Sequence, residues 1–287
     1  MYGLLRILSC SLAAAALAGC AKPAPTSAPA QVRIVSFTPA ITQILFDMGL
    51  GEQVVGVTRF CKLPAGVERP RLGDAMSLNA EAILAVRPTV IFTQSGTRKF
   101  QGVRDIRPDV QVVQVMLESL GDVSAAIDRI GQAVGRADLA RTCRATFDAK
   151  IQAVRQGVAG RTKPRVLFVM GTDRPTAAGP GTFIADMIVA AGGANAGADV
   201  SGAARWRPTH IEAILKAAPD VLICQAFPAD RAEEARKYWL KWRDLPAAKA
   251  GRVYVVTDDH WTIPSTQLAE LAPKLAEMIH RKGPERD

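Results

Sequence analysis

Histidine is scarce in this sequence: its 287 residues hold only His210, His260 and His280. A bare zinc or manganese site usually takes several imidazoles and a carboxylate, so no direct metal site is expected. A metal already enclosed in a chelate is compatible with so few, and His280 falls in a charged C-terminal stretch. No Gly-x-Ser-x-Gly elbow occurs, and Asp258, Asp259 and His260 are consecutive; adjacent residues on one loop seldom make a triad. No catalytic residue is therefore assigned, and a surface hydrolase stands only as a competing class. Gly179-Pro180-Gly181 lacks the third glycine of a dinucleotide fingerprint and the lysine of a phosphate loop. It reads as a turn, and no cofactor is expected.

Long apolar runs are also missing. Arg6 precedes a mostly apolar stretch from Ile7 to Leu17, too short to span a membrane as a mature helix and shaped like an export signal. It closes in Leu17-Ala18-Gly19-Cys20, which resembles a bacterial lipoprotein cleavage box. The resemblance implies that Cys20 takes a diacylglycerol and becomes the new N-terminus, an anchor to the membrane without a span; an ordinary signal peptide cut nearby is the alternative. Residues 1–19 are then a signal peptide and 20–31 a tether. Ala21 to Ala30 is Pro, Ala, Ser and Thr with a single Lys22, a composition that forms no core and reaches at most ~35 Å. Loss of Arg6 with the leader lowers the formal charge from +9 to +8. An export signal argues against nucleic acid as the partner of that charge and leaves an anionic surface or ligand. Cys10 leaves with the signal, so Cys61, Cys143 and Cys224 remain. An odd number without close pairing argues against a disulfide framework, and the apolar patterning around Cys143 and Cys224 reads as burial.

What the chain has is a repeat. Glu81-Ala82-Ile83-Leu84-Ala85-Val86-Arg87-Pro88-Thr89-Val90-Ile91-Phe92 is echoed by Glu212-Ala213-Ile214-Leu215-Lys216-Ala217-Ala218-Pro219-Asp220-Val221-Leu222-Ile223, at a constant offset of 131. Each copy reads as a short helix from the Glu, a break at the Pro and an apolar strand. The period is too long for a solenoid and predicts two similar lobes. Around the first copy, 31–36, 54–58 and 110–116 read as strands. A helix follows Phe37-Thr38-Pro39, with Thr38 placed to cap it, Pro39 at its first position, and Ile41, Ile44, Leu45 and Met48 as its apolar stripe. Around the second copy, 166–170 and 252–257 read as strands, 179–193 as a turn and helix, and 266–280 as a closing helix. Between them lie helices over 121–135 and 137–158; the second, roughly 22 residues at ~1.5 Å each, makes a rod of ~33 Å. Strands alternating with helices predict α/β architecture: two similar Rossmann-like lobes with central parallel sheets, over 32–120 and 161–287, bridged through 121–160 by one long rigid helix.

The order of these motifs resembles the substrate-binding proteins of ABC importers for cobalamin, ferric siderophores and haem, two lobes on a single helix. The likeness is carried by Arg33-Ile34-Val35-Ser36 with Pro39, Val54-Val55-Gly56-Val57, Leu78-Asn79-Ala80-Glu81, 179–193 and Thr257-Asp258-Asp259. The cobalamin-binding branch is nearest, because Trp206 lies six residues before Glu212; the chain departs from it at Ala75 and Gln94, where that branch tends to have aromatic residues. The resemblance implies a monomer that holds a metal chelate between its lobes. It also implies that Glu81 and Glu212, one on each lobe, dock onto arginines of a membrane permease driven by its own ATPase. The plain alternative is that each Glu merely favours its helix N-terminus, with Thr209-x-x-Glu212 a capping box and Lys216 a partner one turn on. Ligands in such folds lie at the carboxyl ends of the strands. That selects Thr38, Phe60, Gln94, Arg174, Trp206, Phe227, Asp259, His260 and Trp261, the aromatics for stacking and Arg59 or Arg174 for a carboxylate or phosphate. A surface adhesin without a transport role is the third reading.

Overall fold

The computed structural model describes residues 31–74 and 76–281. Cys20, Ala75 and nearly all of the tether lie outside the described residues. The first sheet has the order β2-β1-β3-β4, from β1 (Ile34–Ser36), β2 (Val54–Val57), β3 (Val90–Thr93) and β4 (Gln111–Gln114), all parallel. Helices α1 (Pro39–Asp47), α2 (Ala80–Ala85) and α3 (Gln101–Ile106) lie between these strands in the chain. After α4 (Leu120–Ala133) and α5 (Ala137–Gly157) the chain builds the second sheet from β5 (Arg165–Met170), β6 (Thr176–Ala178), β7 (Ala194–Asn195), β8 (Trp206–Pro208), β9 (Val221–Gln225) and β10 (Val253–Val256). Its order is β10-β9-β5-β6-β8, with β7 also on β5. Strand β6 runs antiparallel to both neighbours: only 171–175 separate it from β5, too few for a helical crossover. Helices α6 (Phe183–Ala190), α7 (Gly197–Ser201), α8 (Ile211–Ala217), α9 (Ala232–Leu240), α10 (Pro246–Lys249) and α11 (Leu268–His280) complete this half.

The repeat is duplicated down to its hydrogen bonds. Asn79 caps α2 by accepting from Ala82 N–H (2.9 Å); His210, 131 residues on, holds the same N-cap position of α8, but its Nδ1 lies nearer the Glu212 carboxylate (2.8 Å) than Ala213 N (3.4 Å) and donates to the acid. The capping box expected at Thr209 is therefore displaced by one residue. Thr209 N–H goes instead to Pro175 O (2.8 Å), and the Glu212 carboxylate turns to His210 rather than to Thr209 or Lys216. Each helix leaves through a left-handed residue before its proline, Arg87 and Ala218, both at φ 44° and the only non-glycine residues with positive φ among those described. A left-handed turn at that point uncovers the last carbonyls of the helix, and they are taken by Arg33, just ahead of β1, and by Arg165, the first residue of β5. Arg33 donates from Nη2 to Val86 O (2.9 Å) and from Nε to Arg87 O (3.1 Å). Arg165 donates from Nη2 to Ala217 O (2.7 Å).

The bridge is a hairpin, with α5 its long arm. Its two helices run antiparallel, joined by Ser124 Oγ to Asp148 Oδ1 (2.8 Å) and Arg144 Nη1 to Asp128 Oδ2 (2.9 Å). They close most tightly at Gly131, where a Cβ would lie 2.3 Å from that of Ala140. The start of α4 carries the Ser119–Asp122 capping box and is also held by Asp186 of α6, which accepts from Leu120 N–H (3.0 Å). Beside the early part of α5, Asp47 at the end of α1 accepts from Gln267 Nε2 (3.1 Å) and from Thr266, just ahead of α11. Apolar side chains of both halves and of the bridge form one continuous core cluster. His280 ends α11 with Nε2 3.0 Å from Ala191 O, packed against the fold rather than lying in a charged tail. All three described cysteines are free. Burial pushes the thiols of Cys143 and Cys224 up to about 11, which leaves them protonated and unreactive at neutral pH.

An L-residue in the left-handed region carries strain that glycine lacks. Ala218→Gly should therefore raise stability by about 1 kcal/mol in chemical denaturation. An unchanged or lowered midpoint would refute strain at the helix exit.

Candidate functional site

Because its strands are parallel, the first sheet presents all four carboxyl ends along one edge, and the residues that follow them gather there: Thr38, Phe60, Gln94 and Met116. Thr38 stands at the N-cap position of α1, but its hydroxyl does not cap the helix. It donates instead to Gln94 Oε1 (2.6 Å), so two expected site residues are joined across neighbouring strands. Phe60 is 62% exposed, and its ring lies 4.8 Å from the Arg59 guanidinium. Arg59 is not free for a ligand carboxylate, since its Nη2 pairs with Asp74 Oδ2 (2.5 Å). The other oxygen of Asp74 accepts from the N–H groups of Met76 (2.7 Å) and Ser77 (2.8 Å). Those N–H donors and then the Arg59 charge hold the Asp74 carboxyl below the usual carboxylate range. One buried acid thus fixes two loops, and with them the open Phe60 ring and the Met76 side chain, which is 95% exposed.

In the second half, Arg174 follows β5, Phe227 follows β9 and Asp259 follows β10, again along one carboxyl edge. Arg174 has no carboxylate partner among the described residues. Phe227 is 51% exposed. Asp259 forms an ion pair with Lys62 of the first half, so the segment bearing Phe60 is tied directly to the segment after β10. His260 sets Nδ1 2.6 Å from Asp258 Oδ1, and that partner with the His260 N–H lowers the Asp258 pKa against the burial that raises it. Trp261 corrects an expectation: it is 3% exposed and belongs to the main core cluster, so no ring face is open for stacking. Trp206 sits apart from the others. It opens edge strand β8 opposite Ala178, two residues below the carboxyl edge at Pro208. It packs on Phe183 with ring centroids 5.9 Å apart. With Glu118, Pro180, Gly181 and Arg205 it lines an open hollow of about 730 Å³ beside the segment that joins the two sheets.

Glu81 and Glu212 each occupy the second position of their helix, exposed, at the end of the helix that lies toward the carboxyl edge. Glu212 Oε2 is 2.8 Å from His210 Nδ1, and its own backbone N–H and then that imidazole lower its pKa. Two residues escaped the sequence reading. Met116 follows β4 and is 53% exposed; its place at a strand end was available as a signal. Gln225 ends β9 exactly 131 residues after Gln94, so extending the repeat by two positions would have found it. No group of histidines, cysteines and acids able to hold a metal occurs among the described residues.

A family model described as periplasmic binding protein matches residues 34–260. The chain belongs to the periplasmic binding protein family. Among relatives of this periplasmic binding protein, YvrC, an ABC transporter substrate-binding lipoprotein of Bacillus subtilis, is 27% identical over 86% of this chain and 80% of its own. A cobalamin-binding protein of Halobacterium salinarum is 27% identical over 86% of this chain and 69% of its own. Among solved structures, the periplasmic heme-binding protein RhuT of Roseiflexus is 29% identical with a TM-score of 0.72, over 87% of this chain and 98% of that one. The heme-binding protein HutB of Vibrio cholerae, 19% identical, shares the fold at a TM-score of 0.76, over 87% and 99%. Family and neighbours are binding proteins, and this periplasmic binding protein is likewise not an enzyme. Its place is extracytoplasmic, and no helix among the described residues is long and apolar enough to cross a membrane.

A depressed acid stabilises the fold above the usual carboxylate range, and that contribution is lost as pH falls through the depressed value. Asp74→Asn removes it. The melting temperature of the wild type should therefore fall more steeply than that of the variant below about pH 4; parallel curves would show that Asp74 does not fasten the two loops.

Proposed function

We propose that this protein is the substrate-binding component of an ABC importer, and that it captures a metal chelate (cobalamin, a ferric siderophore or haem) between its lobes. The observation that carries the reading is the duplication of the glutamate-bearing helix end. Two carboxylates, Glu81 and Glu212, stand at the second position of helices that share an N-cap position at that end and a left-handed exit with an arginine hold at the other. A docking role explains why both copies keep the acid: paired charges set orientation and on-rate against a basic partner surface. The names of the relatives support the ligand class, and the open rings of Phe60 and Phe227, with Arg174 between β5 and β6, suit a large flat ligand bearing polar groups.

In this reading the lobes correspond to 32–120 and 161–287 with 121–160 between them. Cys20 carries the lipid, 20–31 is the tether, and the protein acts as a monomer. The chelate enters the cleft, and the lobes adjust about the helical hairpin. The loaded protein then docks through Glu81 and Glu212 onto the permease, whose ATPase supplies the energy. Thr38, Gln94, Trp206, Asp259 and His260 complete the ligand side. Asp259 acts there through its hold on Lys62, and Trp261 supports the segment from beneath.

Thermal unfolding of the soluble chain from residue 31, purified free of ligand, should show one chelate raising stability by ~2.7 kcal/mol at a hundredfold excess over its Kd. No shift with cobalamin, haem or any ferric siderophore would remove this ligand class. Glu81→Gln with Glu212→Gln should leave that shift intact and abolish uptake in cells supplied with the chelate; full uptake would leave the two acids a helix-capping role only.

A further inference from the structure

Gln225 is wholly buried, at 0% exposure, yet neither its Oε1 nor its Nε2 has a hydrogen-bond partner among the described residues. Such a buried amide is unfavourable and rare, and the repeat shows how it arises. Gln225 is the copy of Gln94, and in the first sheet Thr38 of the neighbouring strand donates to the Gln94 carbonyl (2.6 Å). In the second sheet the residue paired with Gln225 is Met170, whose thioether is a poor partner. The amide is kept where its satisfying neighbour is not.

Its position places it just under the ligand side of the fold. Gln225 is the last residue of β9 at the carboxyl edge, on the strand face shared with Val221, Ile223 and the half-buried Met170. Two residues on, Phe227 stands open. Gly171 donates to the Gln225 carbonyl (3.0 Å) at φ 77°, and a Cβ there would meet nothing within 4 Å, so the backbone next to Gln225 borders open space while the amide itself is covered.

We propose that Gln225 is a specificity-determining residue of the cleft, whose amide turns to hydrogen-bond an sp² oxygen at the edge of the bound chelate. A carboxamide on a corrin and a carboxylate on a haem both present such an oxygen to the two N–H donors. The inference rests on the chelate-capture reading.

The test compares wild type with Gln225→Leu and Gln225→Glu, by melting temperature without ligand and by affinity for cobalamin and for haem. Leucine fills the same space without polar atoms, so Gln225→Leu should melt higher than wild type and bind the chelate at least about tenfold more weakly, the value of one hydrogen bond. A role in packing alone would move the melting temperature and leave affinity untouched, which overturns the proposal. Gln225→Glu separates the two sources of oxygen. Against a carboxamide it still accepts from the ligand's N–H and loses less than leucine does; against a carboxylate it repels and loses more. Wild type that binds neither ligand nor any ferric siderophore sinks the capture reading and the inference together, whereas normal binding by Gln225→Leu sinks the inference alone.

Discussion

The fold turns on how each repeat helix ends. A proline after a helix forces the chain out, and the left-handed residue before it, Arg87 or Ala218, turns the last carbonyls away from any helical partner. Those carbonyls are met by Arg33 and Arg165, each at the beginning of its lobe's first strand, whose own backbone binds the residue after the proline. Arg33 N–H donates to Thr89 Oγ1 (2.9 Å) and Arg165 N–H to Asp220 Oδ2 (2.8 Å). A single residue therefore fixes helix end, strand register and loop together. Without it α2 and α8, six and seven residues long, are too short to hold a direction in water, and the glutamates at their far ends would have no defined position.

The two halves are then tied to each other by charge at the rim and by apolar packing behind. Lys62 and Asp259 join the loops after β2 and β10, while Asp47 holds the approach to α11. Exposed ion pairs are worth little singly, so the continuous core along α4 and α5 must supply most of the rigidity, with the rim pairs biasing the angle. The pair at the carboxyl edge is thus the weak one, and a group competing for Lys62 would meet little resistance.

Much of this was legible in the residues. The two lobes, the parallel strands, the hairpin's helices and the exits at Pro88 and Pro219 follow from periodicity and from one repeat. The caps were not legible, because Asn79 and His210 hold the same N-cap position with side chains of different chemistry, and a Thr-x-x-Glu pattern at 209–212 pointed one residue too early. Trp261 was misplaced because adjacency to Asp259 and His260 says nothing about which way a ring turns; in a single-turn helix one residue faces the edge and the next the core. Trp206 lies below the carboxyl edge because it opens β8, a strand of three residues paired to the antiparallel insertion β6, and no apolar pattern over so few residues announces either.

Comparison of the two copies separates what the fold requires from what a site requires. They agree in the arginine and the left-handed exit at one end of the helix and in the acid at the other. They differ at the carboxyl ends of the strands: Thr38 against Met170, the Arg59-Phe60 loop against the Arg174 segment. Under the proposed roles, docking of both acids on one partner favours likeness in the helix ends, whereas capture of a chelate with two unlike faces favours difference between the strand ends. The position where both demands meet is Gln94, just after β3, and its copy Gln225, the last residue of β9. There the side chain is the same and its neighbour differs, so identical amides stand in unlike surroundings, one bonded to Thr38 and one without a partner among the described residues.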